Sequence, residues 1–507
     1  MIARDGACTS LWQESMPPYE PVNKPDSNTE YDVVIIGAGI TGISTAWLLQ
    51  QAGKKCLVVE ARCIGFGTTG GTTAHINTLT DTPYTTISQN FGEENAKLVA
   101  DMAKEAIQLI KKNISDLSLE CGYRDTPAFL FTQTKEQSEE LQTVYRATKK
   151  AGLEIAYVKK IPVPMPFSKA VRIQDQAQFN PLQYVYGLAK AFEDLGGTIV
   201  QDMRVLGVEG DELLTITTDN IGFKGKAVIY ATHIPTGINL LHLRCAPYRT
   251  YAMAVTLKHK TDYPNALVYD SADPYHYYRT QEVDGQLYLI AGGYDHRTAG
   301  EENTEKCFLQ LEAHLRTYYE IDEVRYAWSS QYFEPSDGLP YIGHLPGHTN
   351  NIYVATGFGG NGMTYSSIAA MVLKSMLLGE KDPAGGLFSP NRIKPVAGFI
   401  NFIKHNSEVA AKLFTSILPA DKLPELADMA PGEGRIVKYE GETMALHKDE
   451  HGTLHGVHPH CTHMQCTIAW NSAESSWDCP CHGARFDIDG RVLTGPASVG
   501  LEKVTFG

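Results

Sequence analysis

One stretch near the beginning of the chain limits its architecture more than any other. Asp32-Val-Val-Ile-Ile36 leads into Gly37-Ala-Gly39-Ile-Thr-Gly42, an apolar segment runs from Thr41 to Ala52, and Lys55-Cys-Leu-Val-Val-Glu60 follows. A short run of Val and Ile without alternation fits a strand buried on both faces, as in parallel sheets. The next segment is expected to be a helix capped by Gly53, and Lys55–Glu60 a second strand. Together they make a strand–helix–strand unit that opens a doubly wound α/β sheet. The first glycine permits the turn, the second lets a pyrophosphate approach the backbone, and the third allows close helix–strand packing. The helix N-terminus then turns its positive dipole end towards the phosphates. Glu60 stands 18 residues beyond Gly42, where a carboxylate can hold ribose hydroxyls. Three glycines alone are a weak signal; in this setting they predict dinucleotide binding.

The 507 residues are enough for more than one folding unit. A hydrophobic share of 43% with 20% charged residues excludes a disordered or collagen-like chain. A net charge of −14 argues against a nucleic-acid or anionic-membrane partner. The first residues lack an apolar core before a small-residue cleavage site, and no window of about 18 apolar residues exists, so a cytoplasmic protein with no membrane span is expected. The glycine fingerprint is not repeated in a second strand–helix context. That favours FAD, reduced directly by an organic substrate, over a flavin fed by NAD(P)H.

Composition shifts divide the chain. Residues 1–30, with four prolines, read as an arm over the surface. Residues 31–394 form the nucleotide-binding unit, with helical patterning over 90–153. A Tyr-, Val- and Thr-rich antiparallel lobe is expected over about 236–335, joined by parts of 85–200. Residues 395–430 read as an amphipathic helical linker that docks two domains, and a small all-β domain is expected over 431–507.

Six cysteines are scattered singly, but Cys461, Cys466, Cys479 and Cys481 fall within the last 47 residues. Cys461-Thr-His463 and Cys479-Pro-Cys481-His482-Gly483 give a Cys-x-His … Cys-x-x-His pattern. Two thiolates and two imidazoles suit a Rieske [2Fe–2S] centre, with zinc as the plain competitor. The Cys-x-His opening, Pro480, Gly483-Ala-Arg-Phe-Asp487 and Gly495-Pro-Ala497 resemble the Rieske family. That resemblance implies Cys461 and Cys479 on one iron, His463 and His482 on the other, and a disulfide between Cys466 and Cys481. Gln465 replaces a usual glycine, and Ala484 and Phe486 lack hydroxyls found in high-potential members. Fewer hydrogen bonds to the sulfurs imply a cluster potential below that of respiratory-complex Rieske proteins.

Residues 30–380 resemble the glutathione-reductase-type FAD oxidoreductases of the D-amino-acid oxidase and sarcosine oxidase family. Besides the opening unit, the resemblance rests on Gly65–His75, Asp202–Val205 leading to Ala231-Thr232, and the pair Asp337–Gly343 and Ala355–Thr364. It implies FAD contacts from Gly37, Gly39, Gly42, Glu60, Thr72, Val205, Gly343, Gly360, Gly362, Met363 and Thr364. Three roles stand open for His75: a covalent flavin link as in some relatives, a noncovalent place beside the flavin, or a structural loop position. The strand Tyr275-His-Tyr-Tyr-Arg279 implies an aromatic, Tyr277, and an arginine, Arg279, in the substrate pocket, the latter suited to a carboxylate. The competing reading leaves Arg279 solvated. The whole chain resembles bacterial fusions of these two domains. Such a fusion implies a dehydrogenase that oxidises an amine or amino-acid-like substrate and passes electrons through the cluster to an unidentified external acceptor. The alternative is an electron-transfer component between protein partners.

Overall fold

The computed structural model describes residues 4–349, 351–392, 421–422, 429–439 and 441–504. Its first sheet runs, edge to edge, Tyr341–His344, Ile352–Thr356, Phe223–Tyr230, Glu30–Ile36, Cys56–Val59 and Thr198–Val200. The last five of these pair in parallel. Val33 to Ile36 are buried, as the unbroken apolar run requires. The helix Ile40–Gln51 is buried on nearly every side, because helices Pro181–Asp194 and Gly362–Leu377 pack on it. Gly37 has φ +104°, and a Cβ on Gly42 would lie 1.9 Å from the Gly37 carbonyl oxygen. Only glycine allows both the turn and the close approach.

The second sheet has nine strands. Its long members, Cys245–Leu257, Gln286–Arg297 and Ile321–Pro335, are antiparallel neighbours. Two elements depart from expectation. The segment read as helical over 90–153 contains helices Glu93–Leu117 and Lys135–Lys150 but also the strand Arg124–Thr132 between them. Within the antiparallel region lies the helix Glu305–Tyr318, whose Cys307, Leu311 and Leu315 recur at helical spacing against the sheet.

Two short sheets make up the C-terminal domain. One comprises Asp421–Lys422, Gly434–Tyr439, Glu442–Lys448, Leu454–Val457 and Lys503–Val504; the other comprises Ala469–Asn471, Ser476–Asp478, Arg485–Phe486 and Val492–Thr494. Most of the expected 395–430 linker lies outside the described residues. Where it is described, Asp421–Lys422 is a strand paired with Val437–Lys438, so this domain begins before residue 431.

The N-terminal arm is not a surface feature throughout. Leu11 and Trp12 are buried, and Arg4 and Asp5 enter an ionic cluster between the two domains. Arg4 Nη1 donates to Glu474 Oε2 at 2.9 Å, Arg485 Nε to Asp478 Oδ1 at 2.9 Å, and Arg485 Nη1 lies 3.3 Å from Asp5 Oδ2. Arg249 lies 3.8 Å from Glu474 and 3.9 Å from Asp478. Three cations and three anions, all buried, balance one another, as charges removed from water require. The arm, the nine-stranded sheet and the C-terminal domain all contribute.

Candidate active site

A cavity begins at the glycine turn and runs along the seam between the two large sheets. At the nucleotide end it is lined by Gly37, Gly39, Glu60, Val205, Arg62 and Arg204. The helix after Gly39 has no cap from its own N-cap residue, its Ile40 N donates to Thr69 Oγ1 at 3.0 Å, and its positive dipole end faces the cavity, where a phosphate would lie. The Glu60 carboxylate accepts from Ala38 N at 2.7 Å and Arg62 N at 2.9 Å, which fixes it beside the turn. Thr72, Gly360, Gly362 and Met363 also line the cavity. Gly42, Gly343 and Thr364 do not. Gly42 lies beneath the turn, Gly343 faces Pro390 and Met376, and Thr364 Oγ1 donates to Asn77 O at 2.8 Å. These surroundings fit FAD: a helix N-terminus at the glycine turn, a ribose-level carboxylate, and a glycine segment at the far end.

Beyond that segment the wall is made of Tyr269, Tyr275, Tyr277, Tyr332, Asp81 and Asp295. His75 lies among them. Asn77 Nδ2 donates to the Tyr269 hydroxyl at 2.6 Å, and that hydroxyl meets His75 Nδ1 at 2.7 Å. This order makes Tyr269 the donor to Nδ1 and leaves the proton of a neutral imidazole on Nε2. Burial, then the charge of Arg279, holds the His75 pKa well below the usual histidine value. Its Nε2 is buried with no hydrogen-bond partner among the described residues.

Tyr277 reaches the cavity, with its hydroxyl 2.9 Å from Thr250 Oγ1. Arg279 does not, nor is it solvated. It shares Tyr277's side of the strand but lies two residues on, beneath covering backbone. Its Nη1 donates to Thr73 O at 3.0 Å, Ala74 O at 2.6 Å and Phe179 O at 3.2 Å, and its guanidinium lies over the Trp12 ring. A buried guanidinium spent on carbonyls cannot hold a substrate carboxylate. The sequence reading missed Asp81, Asp295 and Tyr332. Gly292 was the available hint: it pairs with Tyr277, and a Cβ there would lie 2.3 Å from the Tyr277 ring.

Near the cavity, but not lining it, sit the four expected cluster residues. Cys461 N donates to Cys466 O and Gln465 N to Cys461 O, each at 2.9 Å, which closes one tight loop. Cys479 N donates to Ala484 O at 2.8 Å and Gly483 N to Cys479 O at 3.0 Å, which closes the other. Cys466 and Cys481 join the loops by a disulfide. The Cys461 and Cys479 thiols are within hydrogen-bonding reach of each other, and the His463 and His482 rings stand 5.0 Å apart at 88°. His463 Nδ1 is buried with no hydrogen-bond partner among the described residues. Two unoxidised thiols and an unused ring nitrogen in one pocket fit the two-Cys, two-His set of a Rieske cluster. Gln465 has φ +60°, the left-handed region that explains why glycine is usual at this position.

The flavin domain covers this cluster site. His463 Nε2 faces Gly237 O at 3.1 Å, and His242 packs 4.5 Å from the His463 ring and 5.5 Å from that of His482. Burial, then His463, pushes the His242 pKa down to about 3, so its neutral Nε2–H donates to Pro235 O at 2.9 Å. Gln331 lines the cavity while its Nε2 donates to Gly483 O at 2.8 Å. Leu493, Thr494 and Gly495 of the C-terminal domain line the same cavity.

Comparison with known proteins agrees with both halves. Residues 32–376 match the FAD dependent oxidoreductase family, and residues 421–505 match the Rieske [2Fe-2S] domain. The chain is 32% identical over 480 residues to YhfW of Bacillus subtilis (strain 168), by name a Rieske 2Fe-2S iron-sulfur protein, covering 94% of each. It is 23% identical over 389 residues to the gamma-glutamylputrescine oxidoreductase of Escherichia coli (strain K12), covering 74% of this chain and 90% of that one. The glycine oxidase of Geobacillus kaustophilus shares the fold, with a TM-score of 0.61 at 17% identity over 72% of this chain and 99% of the other. The chain is thus an oxidoreductase of the FAD-dependent oxidoreductase family with a C-terminal Rieske [2Fe–2S] domain.

Proposed function

We propose that this protein is a dehydrogenase that removes two electrons from a C–N bond of an amine or amino-acid-like substrate at FAD and releases them singly, through its Rieske cluster, to an external acceptor. One observation carries the reading. The segment that follows the strand Phe223–Tyr230 lines the flavin cavity at Thr232, His233 and Thr236, then caps the cluster histidines with Gly237 and His242. Gln331 makes a second bridge between cavity and cluster loop. Bound FAD supplies acceptance of a hydride, and the cluster an outlet for one electron at a time.

The residues of the chain divide the remaining work. The tyrosines and Asp295 bound the space where the substrate lies, the neutral His75 holds the Tyr269 hydroxyl at its edge, and Gln331 and His242 fix the cluster loops against the flavin domain. The gamma-glutamylputrescine oxidoreductase among the relatives supports an amine as the electron source.

Anaerobic rapid mixing of the holoprotein with a panel of amines, amino acids and NAD(P)H tests this. An amine or amino acid should bleach the flavin absorbance, followed by the paramagnetic signal of the reduced cluster in the same molecules. Bleaching by NAD(P)H alone would transfer the case to an electron-transfer component. Flavin bleaching that never reaches the cluster would overturn the series arrangement.

A further inference from the structure

The substrate end of the cavity has a charge pattern that a carboxylate ligand would not tolerate. Asp295 Oδ2 accepts from the Tyr332 hydroxyl at 2.9 Å and the Tyr275 hydroxyl at 3.2 Å, while Oδ1 is buried with no hydrogen-bond partner among the described residues. Asp81 Oδ2 accepts from Gly360 N at 2.6 Å and opens onto the same space. The two carboxylates are close enough to repel each other. Among the described residues, no basic side chain forms an ion pair with either.

The cavity's own arginines, Arg62 and Arg204, lie beside Glu60 at the nucleotide end, and both donate to Val492 O. Arg279 is turned into backbone, and His75 is neutral. The space therefore has two anions, no cation, and tyrosine rings around it, with Tyr275 and Tyr277 centroids 5.7 Å apart. Aromatic faces combined with carboxylates attract ammonium groups and repel carboxylates.

We propose that this end binds a protonated or quaternary nitrogen, so that the substrate is an amine carrying a second cationic group, of the diamine or polyamine kind, and not an α-amino acid. Asp295 and Asp81 hold the distal nitrogen, while the reacting amine lies towards the flavin. The inference rests on the amine-dehydrogenase reading and narrows it.

A matched pair of unreactive probes tests it in the holoprotein at constant ionic strength. n-Butyltrimethylammonium should perturb the flavin spectrum with a Kd at least tenfold below that of butyrate. Asp295→Asn, with FAD content and cluster spectrum unchanged, should weaken the ammonium at least tenfold while butyrate binds no more weakly than before. If Asp295→Asn fails to fold, the Tyr332→Phe variant, which loosens the same carboxylate, should weaken the ammonium severalfold. Butyrate binding as tightly as the ammonium, or a foldable Asp295→Asn with unchanged ammonium affinity, would overturn the proposal. Failure of the two readings is separable. Ammonium binding without flavin bleaching by any amine removes the redox reading and leaves only the cation site standing, whereas bleaching by α-amino acids without ammonium binding removes this inference alone.

Discussion

Asp295 gives the cavity a pH signature. Burial lifts its carboxyl to about 6; Thr250, Tyr332 and Tyr275 pull it back by hydrogen bonding, and the charge of Asp81 adds to the rise. Glu334 faces it from the strand Ile321–Pro335, with Arg297 beyond, and Tyr277 from the strand His276–Val283. A carboxyl raised on folding contributes stability below the normal aspartate range and loses it as pH rises through the raised value. The empty site is thus least comfortable above about pH 6, the range in which a cation would relieve it. Affinity for n-butyltrimethylammonium, a probe that does not itself titrate, should be level above pH 7 and fall by up to about tenfold per unit below the raised pKa. Spectral titration of the flavin from pH 5 to 8 reads this directly, and a flat profile would count against Asp295 as the ammonium's partner. None of this is legible in the sequence. Asp81 and Asp295 are single acids in unremarkable surroundings, and only folding brings them together. The cluster ligands are the opposite case, because four side chains on two short loops keep their spacing wherever the chain places them.

Elements are legible where one neighbour decides them. The strand Glu30–Ile36 and helix Ile40–Gln51 follow from an apolar run and three glycines, all local. Arg124–Thr132 is hidden because it is charged at its start, contains Pro127, and draws its burial from Lys169–Gln178 and Leu267–Asp270. Tertiary partners, more than propensity, make such a strand. The strand Gln286–Arg297 shows the same dependence in a form that mutation can test. Its Gly292 lies under the Tyr277 ring with no space for a methyl group. Gly292→Ala should push Tyr277 out of position at a cost of about 1–3 kcal/mol in stability, as overpacking does. FAD content should be unchanged, since the nucleotide end is remote, while kcat/KM for the amine falls. A variant with full kcat/KM would mean that Tyr277 does not shape the substrate space.

The arrangement of the two domains is the least legible feature, since its charges are hundreds of residues apart in the chain and meet only in the folded molecule. Arg4 and Glu474 are separated by 470 positions. The N-terminal arm fastens the two domains, a role that the sequence suggests only for 395–430, most of which lies outside the described residues. Buried ionic sets of this kind bring little net stability compared with apolar packing, but removing one member leaves an uncompensated charge. Arg4→Met should therefore cost about 3–5 kcal/mol, most of it at the domain seam. Because Arg4 lies outside the substrate space, flavin bleaching by the amine should keep its rate. Cluster reduction within the same molecule should slow by tenfold or more as Gly237, His242 and Gln331 lose their hold on the cluster loops. Stopped-flow absorbance of the flavin and freeze-quenched paramagnetic resonance of the cluster separate the two steps. If both keep their rates in a variant shown by calorimetry to be destabilised, the ionic seam stabilises the chain without setting the electron route, and the transfer depends on contacts nearer the cluster alone.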